Sequence, residues 1–75
     1  MTDRLPQMKP REMIKVLEKF GFFIRRQSGS HVFMKNSMTN RTTVVPFHAK
    51  DINRGILFEI LKQAGITQKD FLEKR

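Results

Sequence analysis

The chain has 75 residues, of which 39% are hydrophobic, and it contains no cysteine and no tryptophan. This length suits a single small domain over 1–75 with a loose tail at 1–8, and it excludes an enzyme with a separate cofactor-binding domain. Fifteen Lys and Arg against seven Asp and Glu give a net charge of +8. That excess favours a polyanionic partner such as nucleic acid, with an acidic protein as the alternative.

The apolar runs are too short for a membrane protein. The longest, at 21–24 and 44–47, fall far below the roughly 20 residues that span a bilayer. The N-terminus has no apolar stretch typical of a signal peptide. Without cysteine, neither a disulfide nor a thiolate metal site can form. The sequence therefore predicts a soluble, cytoplasmic protein.

Helical spacing predicts the first element, a helix over 10–20. Pro10 suits the first helical position, where its missing N–H costs no hydrogen bond. Gly21 is a good C-terminal stop. The apolar residues at helical spacing are Met13, Ile14, Leu17 and Phe20.

Three strands are predicted next, over 22–27, 31–36 and 41–47. Ser-Gly-Ser separates the first two strands, and β-branched residues cluster in the third. Because both connections are short, an antiparallel meander is the simplest pairing.

A second helix is predicted over 51–64, with a broad apolar face and Gly65 as its stop. Gly55 inside it is expected to mark close packing against a neighbour. Thr67 to Asp70 resembles a capping box, which predicts a short last helix. The order α-β-β-β-α predicts an α+β sandwich, with two helices on one face of a three-stranded antiparallel sheet.

Most of the seven phenylalanines are expected in the core, because so short a chain needs every large apolar group. The expected core set is Phe20, Phe22, Phe33, Phe47 and Phe58. Strand alternation turns Phe23 towards the open face of the sheet. Without Tyr, Trp or a ribonucleoprotein-type aromatic motif, the sheet does not match an RNA-recognition motif.

Two histidines are the candidates for proton transfer. His31 follows a tight turn and lies near the cations Arg25, Arg26 and Lys35. Cleaving RNA requires a base for the 2′-hydroxyl, a proton for the leaving oxygen and positive charge at the phosphate. The unperturbed pKa of an imidazole is about 6.5, which suits proton transfer at neutral pH. The alternative is a histidine that only caps the hairpin.

The faces of the strands decide whether these groups meet. Alternation places Arg26 on the same face as Phe22 and Ile24. If these two and Phe33 point towards the helices, Arg26 and His31 meet at the hairpin rim on that side.

His48 lies between the third strand and the second helix. It would act as a second proton donor or a substrate contact, or it would only shape the strand-to-helix turn. With Asp51 as the nearby carboxylate, the two histidines make a poor metal site. No metal and no cofactor is expected.

Several motifs follow one another in a fixed order. They are Gly21-Phe22, Arg26 to His31, Val45 to His48, Gly55 to Leu57, and Ile60 to Ile66. Over about residues 10–70 this series resembles the HicA toxins of bacterial and archaeal toxin–antitoxin systems. The resemblance implies a double-stranded-RNA-binding-domain-like fold. It also implies a ribosome-independent mRNA interferase that is neutralised by a HicB-type antitoxin.

The resemblance places the family's essential histidine at His31 and its upstream arginine at Arg26. The family's Pro-x-His motif falls on Pro46 and His48. Two positions depart from the pattern. Ile56 stands where threonine often follows the glycine, and Val32 stands where many members have a second histidine or a polar residue. The second departure leaves the general acid unassigned.

The mechanism expected from these residues is metal-independent cleavage that leaves a 2′,3′-cyclic phosphate. His31 transfers the proton, while Arg26 and Lys35 hold the scissile phosphate. The full set expected to contact RNA is Arg25, Arg26, Gly29, Ser30, Lys35 and Lys50, with His48 as an accessory. The competing hypotheses are a non-catalytic double-stranded-RNA-binding module and a protein-interaction module that binds an acidic partner.

Overall fold

The computed structural model describes residues 7–47 and 51–75. The elements in chain order are α1 (Pro10–Lys19), β1 (Phe22–Ser28), β2 (His31–Asn36), β3 (Thr42–Pro46), α2 (Arg54–Ala64) and α3 (Gln68–Lys74). The strands form an antiparallel sheet of order β1-β2-β3. The predicted α+β class and its α-β-β-β-α order are confirmed, and α3 is the predicted last helix. Within the described residues, no helix is long and apolar enough to cross a membrane.

Local hydrogen bonds explain where the helices begin. Asn53 caps α2, since its Oδ1 accepts from the Ile56 N–H at 2.9 Å. The helix therefore begins three residues later than the predicted position 51. Thr67 caps α3 in the same way, accepting from the Asp70 N–H at 3.1 Å.

The segment before α1 is tied to the segment before α2. Met8 and Ile52 form an isolated antiparallel bridge, and the two side chains are 6% and 2% exposed. Residues 1–6 lie outside the described residues. The tail predicted over 1–8 is therefore too long at its C-terminal end, because Met8 is part of the core.

The core lies between the helices and one face of the sheet. Its buried apolar members are Met8, Met13, Ile14, Val16, Leu17, Phe22, Val32, Met34, Val45, Ile52, Leu57, Ile60, Leu61, Ala64 and Phe71. The helices thus place their apolar stripes against alternate residues of the strands. The opposite face of the sheet is left without a covering layer among the described elements.

The predicted phenylalanine core is wrong in part. Phe22 is buried and Phe20 packs at the margin of the core, whereas Phe47 and Phe58 are 37% and 50% exposed. Phe58 lies off the buried stripe of α2. Phe71 of α3 is fully buried instead, and α3 packs against α1.

The predicted packing at Gly55 is also wrong. The residue is exposed, and a Cβ built there would meet only Asn53 Oδ1, at 3.4 Å. Within the described residues, no neighbouring element approaches this glycine closely.

Candidate nucleic-acid interface

The sheet face turned away from the helices is the open face. Val32, Met34 and Asn36 of β2 are buried against the helices, so the alternate residues of that strand point the other way. The pairing register arranges the open face in three cross-strand rows. The rows are Phe23–Lys35–Thr42, Arg26–Phe33–Val44 and Ser28–His31–Pro46.

A β-bulge decides where Arg26 lies. Ile24 pairs with Met34 and Arg26 pairs with Phe33, so Arg25 is an extra residue opposite one partner. Simple alternation places Arg26 beside Ile24 on the helical side. The extra residue instead returns Arg26 to the open face.

The predicted position of the Arg26–His31 pair is therefore corrected. The two residues do share a side of the sheet, but that side is the open face. Phe33 lies there as well, partly exposed, rather than in the core. No described helix covers the open face, and both Arg26 and His31 are exposed there.

The β1–β2 turn places His31 at the rim of the open face. Ser28 pairs with His31, which leaves Gly29 and Ser30 as a two-residue loop. Gly29 has φ of 59°, and a positive φ is typical of such tight hairpin loops. A Cβ built on Gly29 would meet no atom of the described residues within 4 Å. The Ser30 carbonyl accepts from the Phe47 N–H, which joins the turn to the end of β3.

Arg26 is held over an aromatic ring next to His31. Its guanidinium carbon lies 4.4 Å from the centroid of the Phe33 ring, a cation–π contact. Arg26 pairs with Phe33, and His31 is two residues from Phe33 along β2. Arg26 and His31 are therefore diagonal neighbours, with Cα atoms roughly 7–8 Å apart. An arginine and an imidazole at this spacing can reach one phosphodiester together.

Lys35 is on the same face but does not join that pair. It is four residues from His31 along β2, a distance of about 13 Å at the usual rise of a strand. Its neighbours across the sheet are Phe23 and Thr42. The expectation that Arg26 and Lys35 hold one phosphate next to His31 does not fit this separation.

The sheet carries positive charge without carboxylates. Residues 19–50 contain no Asp or Glu, and their cations are Lys19, Arg25, Arg26, Lys35, Arg41 and Lys50. Within the described part of the chain, no ion pair involves Arg25, Arg26 or Lys35. An ion pair is found elsewhere, between Lys9 and Asp51 at 3.8 Å. The charges of the open face are therefore available to an external polyanion.

Two of the predicted site residues cannot be placed. His48 and Lys50 lie outside the described residues, so their roles stay predictions. Among the residues that are described, no group of three or more His, Asp or Glu side chains forms a metal-binding cluster.

Phe33 is the member of this interface that sequence reasoning missed. Its place in alternation with His31 and Lys35 was the available signal, since all three share one face of β2. Assigning Phe33 to the core from its size alone concealed its contact with Arg26.

A comparison with models of protein families identifies a family that this chain matches. The matching model describes the HicA toxin of bacterial toxin-antitoxin systems, and it covers residues 10–66. The match runs from the start of α1 beyond the end of α2, and so includes the whole open face. A comparison with curated proteins gave no match.

Proposed function

The chain belongs to the HicA toxin family of toxin–antitoxin systems, and on this premise we propose that it is an mRNA interferase. It cleaves RNA without a metal ion, through His31 and Arg26 on the open face, and it is neutralised by a HicB-type antitoxin. The observation that supports the proposal is that Arg26 and His31 are diagonal neighbours on a sheet face that no described element covers and whose strands contain no carboxylate.

The chemistry follows from the two groups. The His31 imidazole accepts the proton of a 2′-hydroxyl, and the 2′-oxygen then forms a bond to the adjacent phosphorus. The bond from that phosphorus to the 5′-oxygen of the next nucleotide breaks, which leaves a 2′,3′-cyclic phosphate and a 5′-hydroxyl once that oxygen gains a proton. The Arg26 guanidinium, placed over Phe33, stabilises the negative charge that develops on the phosphate oxygens.

The remaining cations bind the substrate at neighbouring positions. Lys35, about 13 Å along the strand from His31, contacts a different phosphate of the same RNA. Arg25, Gly29 and Ser30 line the approach to the rim, with backbone and side-chain donors near the phosphate. The group that protonates the leaving oxygen is unassigned, and His48 is the first to test.

The same surface explains how an antitoxin would inhibit the proposed RNA cleavage. An acidic surface of the partner protein would bind the cations of the open face, which form no ion pair with a described carboxylate. Such a partner covers His31 and displaces RNA at the same time, so inhibition and RNA binding are mutually exclusive.

The test is cleavage of a long mRNA in EDTA by the wild-type protein and by His31→Ala. The matched control is Lys69→Ala, which removes an exposed side chain from α3, away from the sheet. We expect wild type and the control to cleave, with 2′,3′-cyclic phosphate ends, and His31→Ala to bind RNA without cleaving it. Circular dichroism checks that all three are folded.

Each alternative predicts a different result. Equal cleavage by wild type and His31→Ala would remove His31 from the mechanism. Loss of wild-type activity in EDTA would show that a metal ion is needed. If wild type retains RNA and cleaves none, the protein is a non-catalytic RNA-binding module. Absence of RNA binding at physiological salt would favour a protein-interaction module.

A further inference from the structure

Phe23 is a large apolar side chain on the open face, at the end far from His31. It is 44% exposed, while its chain neighbour Phe22 is 4% exposed and packs into the core. Phe23 pairs with Lys35 across the sheet, and Phe33 is its diagonal neighbour. Aromatic and cationic side chains therefore alternate over this end of the open face.

The two aromatic rings of the face are not equivalent. The ring of Phe33 is covered by the Arg26 guanidinium at 4.4 Å. Among the described residues, no Lys or Arg lies over the ring of Phe23. Phe23 is thus the aromatic group of the open face that can offer its ring to an external partner.

We propose that Phe23 stacks on an unpaired base of the RNA, so that the substrate is single-stranded where it crosses the open face. The inference rests on the proposed function and names the class of RNA that the site accepts. A nucleic-acid strand binds such a surface by placing its phosphates along cations and its bases on aromatic rings. Arg26, the cross-strand partner of Phe33, and Lys35, the cross-strand partner of Phe23, provide the cations, and Phe23 provides the ring.

The geometry places the stacked base at a distance from the cleaved bond. Phe23 shares a row with Lys35, about 13 Å along β2 from His31. The base that stacks on Phe23 is therefore a few nucleotides away from the scissile phosphate. In a duplex, every base is already paired and stacked within the helix, so duplex RNA cannot offer a base to Phe23.

The experiment uses the full chain with His31→Ala, so that RNA is bound without being cleaved. The probe is a short unstructured RNA in which 2-aminopurine replaces one base at a time. Stacking on Phe23 is expected to quench the fluorescence at one position. Adding Phe23→Leu should abolish that quenching and weaken binding about tenfold. Phe23→Tyr should retain the quenching and the affinity of the parent protein.

The matched control is Phe58→Leu, because Phe58 is 50% exposed on α2, in the helical layer. This variant should bind the RNA as well as the parent does. A second control is an RNA that lacks the base at the quenched position. Phe23→Leu should bind this abasic RNA no more weakly than the parent protein does.

The outcomes separate this inference from the proposed function. RNA binding without quenching at any position would overturn stacking and leave the interferase proposal intact. The same conclusion would follow if Phe23→Leu weakened the binding of duplex RNA and of single-stranded RNA equally. A dimer that Phe23→Leu converts to a monomer would show that a second copy covers the ring, and would also overturn it. Failure of every variant to bind RNA would overturn both.

Discussion

Asn36 is a buried polar residue at the end of β2, and both halves of its amide have partners. Nδ2 donates to the Phe20 carbonyl at 2.9 Å, and Oδ1 accepts from the backbone N–H groups of Met38 and Thr39 at 2.8 and 3.1 Å. The side chain is shielded from solvent, with 6% exposure. One amide thus joins the end of α1 to the β2–β3 turn by hydrogen bonds. Gly21, with φ of 95°, passes beside it, where a Cβ would approach Nδ2 to 3.3 Å.

Replacing this amide is expected to destabilise the whole fold. Asn36→Ala removes three hydrogen bonds, each with a net contribution of about 0.5–1.5 kcal/mol, so the free energy of unfolding should fall by roughly 2 kcal/mol. Urea unfolding, followed by circular dichroism, measures this free energy of unfolding. The control Ser37→Ala changes an exposed residue of the same turn and should leave the unfolding free energy within about 0.5 kcal/mol. Equal effects of the two variants would contradict this account of Asn36.

Elements whose ends are marked by single residues could be predicted from the sequence. Pro10 begins α1, Gly21 follows its end, and Thr67 caps α3. These signals act within a few residues and need no knowledge of the tertiary structure. The strand β2 was predicted with its observed ends, since turn residues flank it on both sides.

The bulge in β1 could not be predicted in this way. Arg25 has no feature that identifies it as an extra residue, yet every side chain after it changes face relative to simple alternation. Sequence reasoning therefore predicts Arg26 and His31 on a shared face, as the register has them, but it predicts the wrong face of the sheet. The choice of Phe71 over Phe58 for the core likewise depends on how the helices pack on the sheet, which is set by tertiary contacts.

The bulge leads to a prediction at the level of the strand. Deleting Arg25 leaves six residues of β1 opposite six of β2, and each retains its present partner. The deletion variant should therefore fold with an unchanged register, and nuclear Overhauser contacts between Arg26 and Phe33 should persist.

The matched control is deletion of Gln27, which also shortens β1 by one residue. Without a bulge, that strand pairs Arg25 with Phe33 and turns Arg26 towards the helical side. The contacts between Arg26 and Phe33 should then be lost. Their loss in the Arg25 deletion, or their survival in the Gln27 deletion, would contradict the bulge as the device that places Arg26.

Over the whole molecule, the two layers differ in charge. The acidic residues that the structure describes lie on the helices or in the segment before α2. They are Glu12, Glu18, Asp51, Glu59, Asp70 and Glu73. All charged residues of the strands are cations, so the sheet layer attracts a polyanion. The helical layer contains both acidic and basic residues. This asymmetry favours the open face as the surface on which the proposed RNA substrate would bind.

The asymmetry predicts how RNA binding responds to salt. For single-stranded RNA, each neutralised phosphate changes the slope of log K against log salt by about 0.7. In the His31→Ala protein, Arg26→Gln should reduce the steepness by about that amount, and Arg26→Gln with Lys35→Gln by roughly 1.4. Lys69→Gln, on α3, removes the same charge and should leave the slope unchanged. Fluorescence titrations with a short unstructured RNA at several salt concentrations measure the slopes. An equal decrease for Lys69→Gln would show that net charge, rather than the open face, binds the RNA.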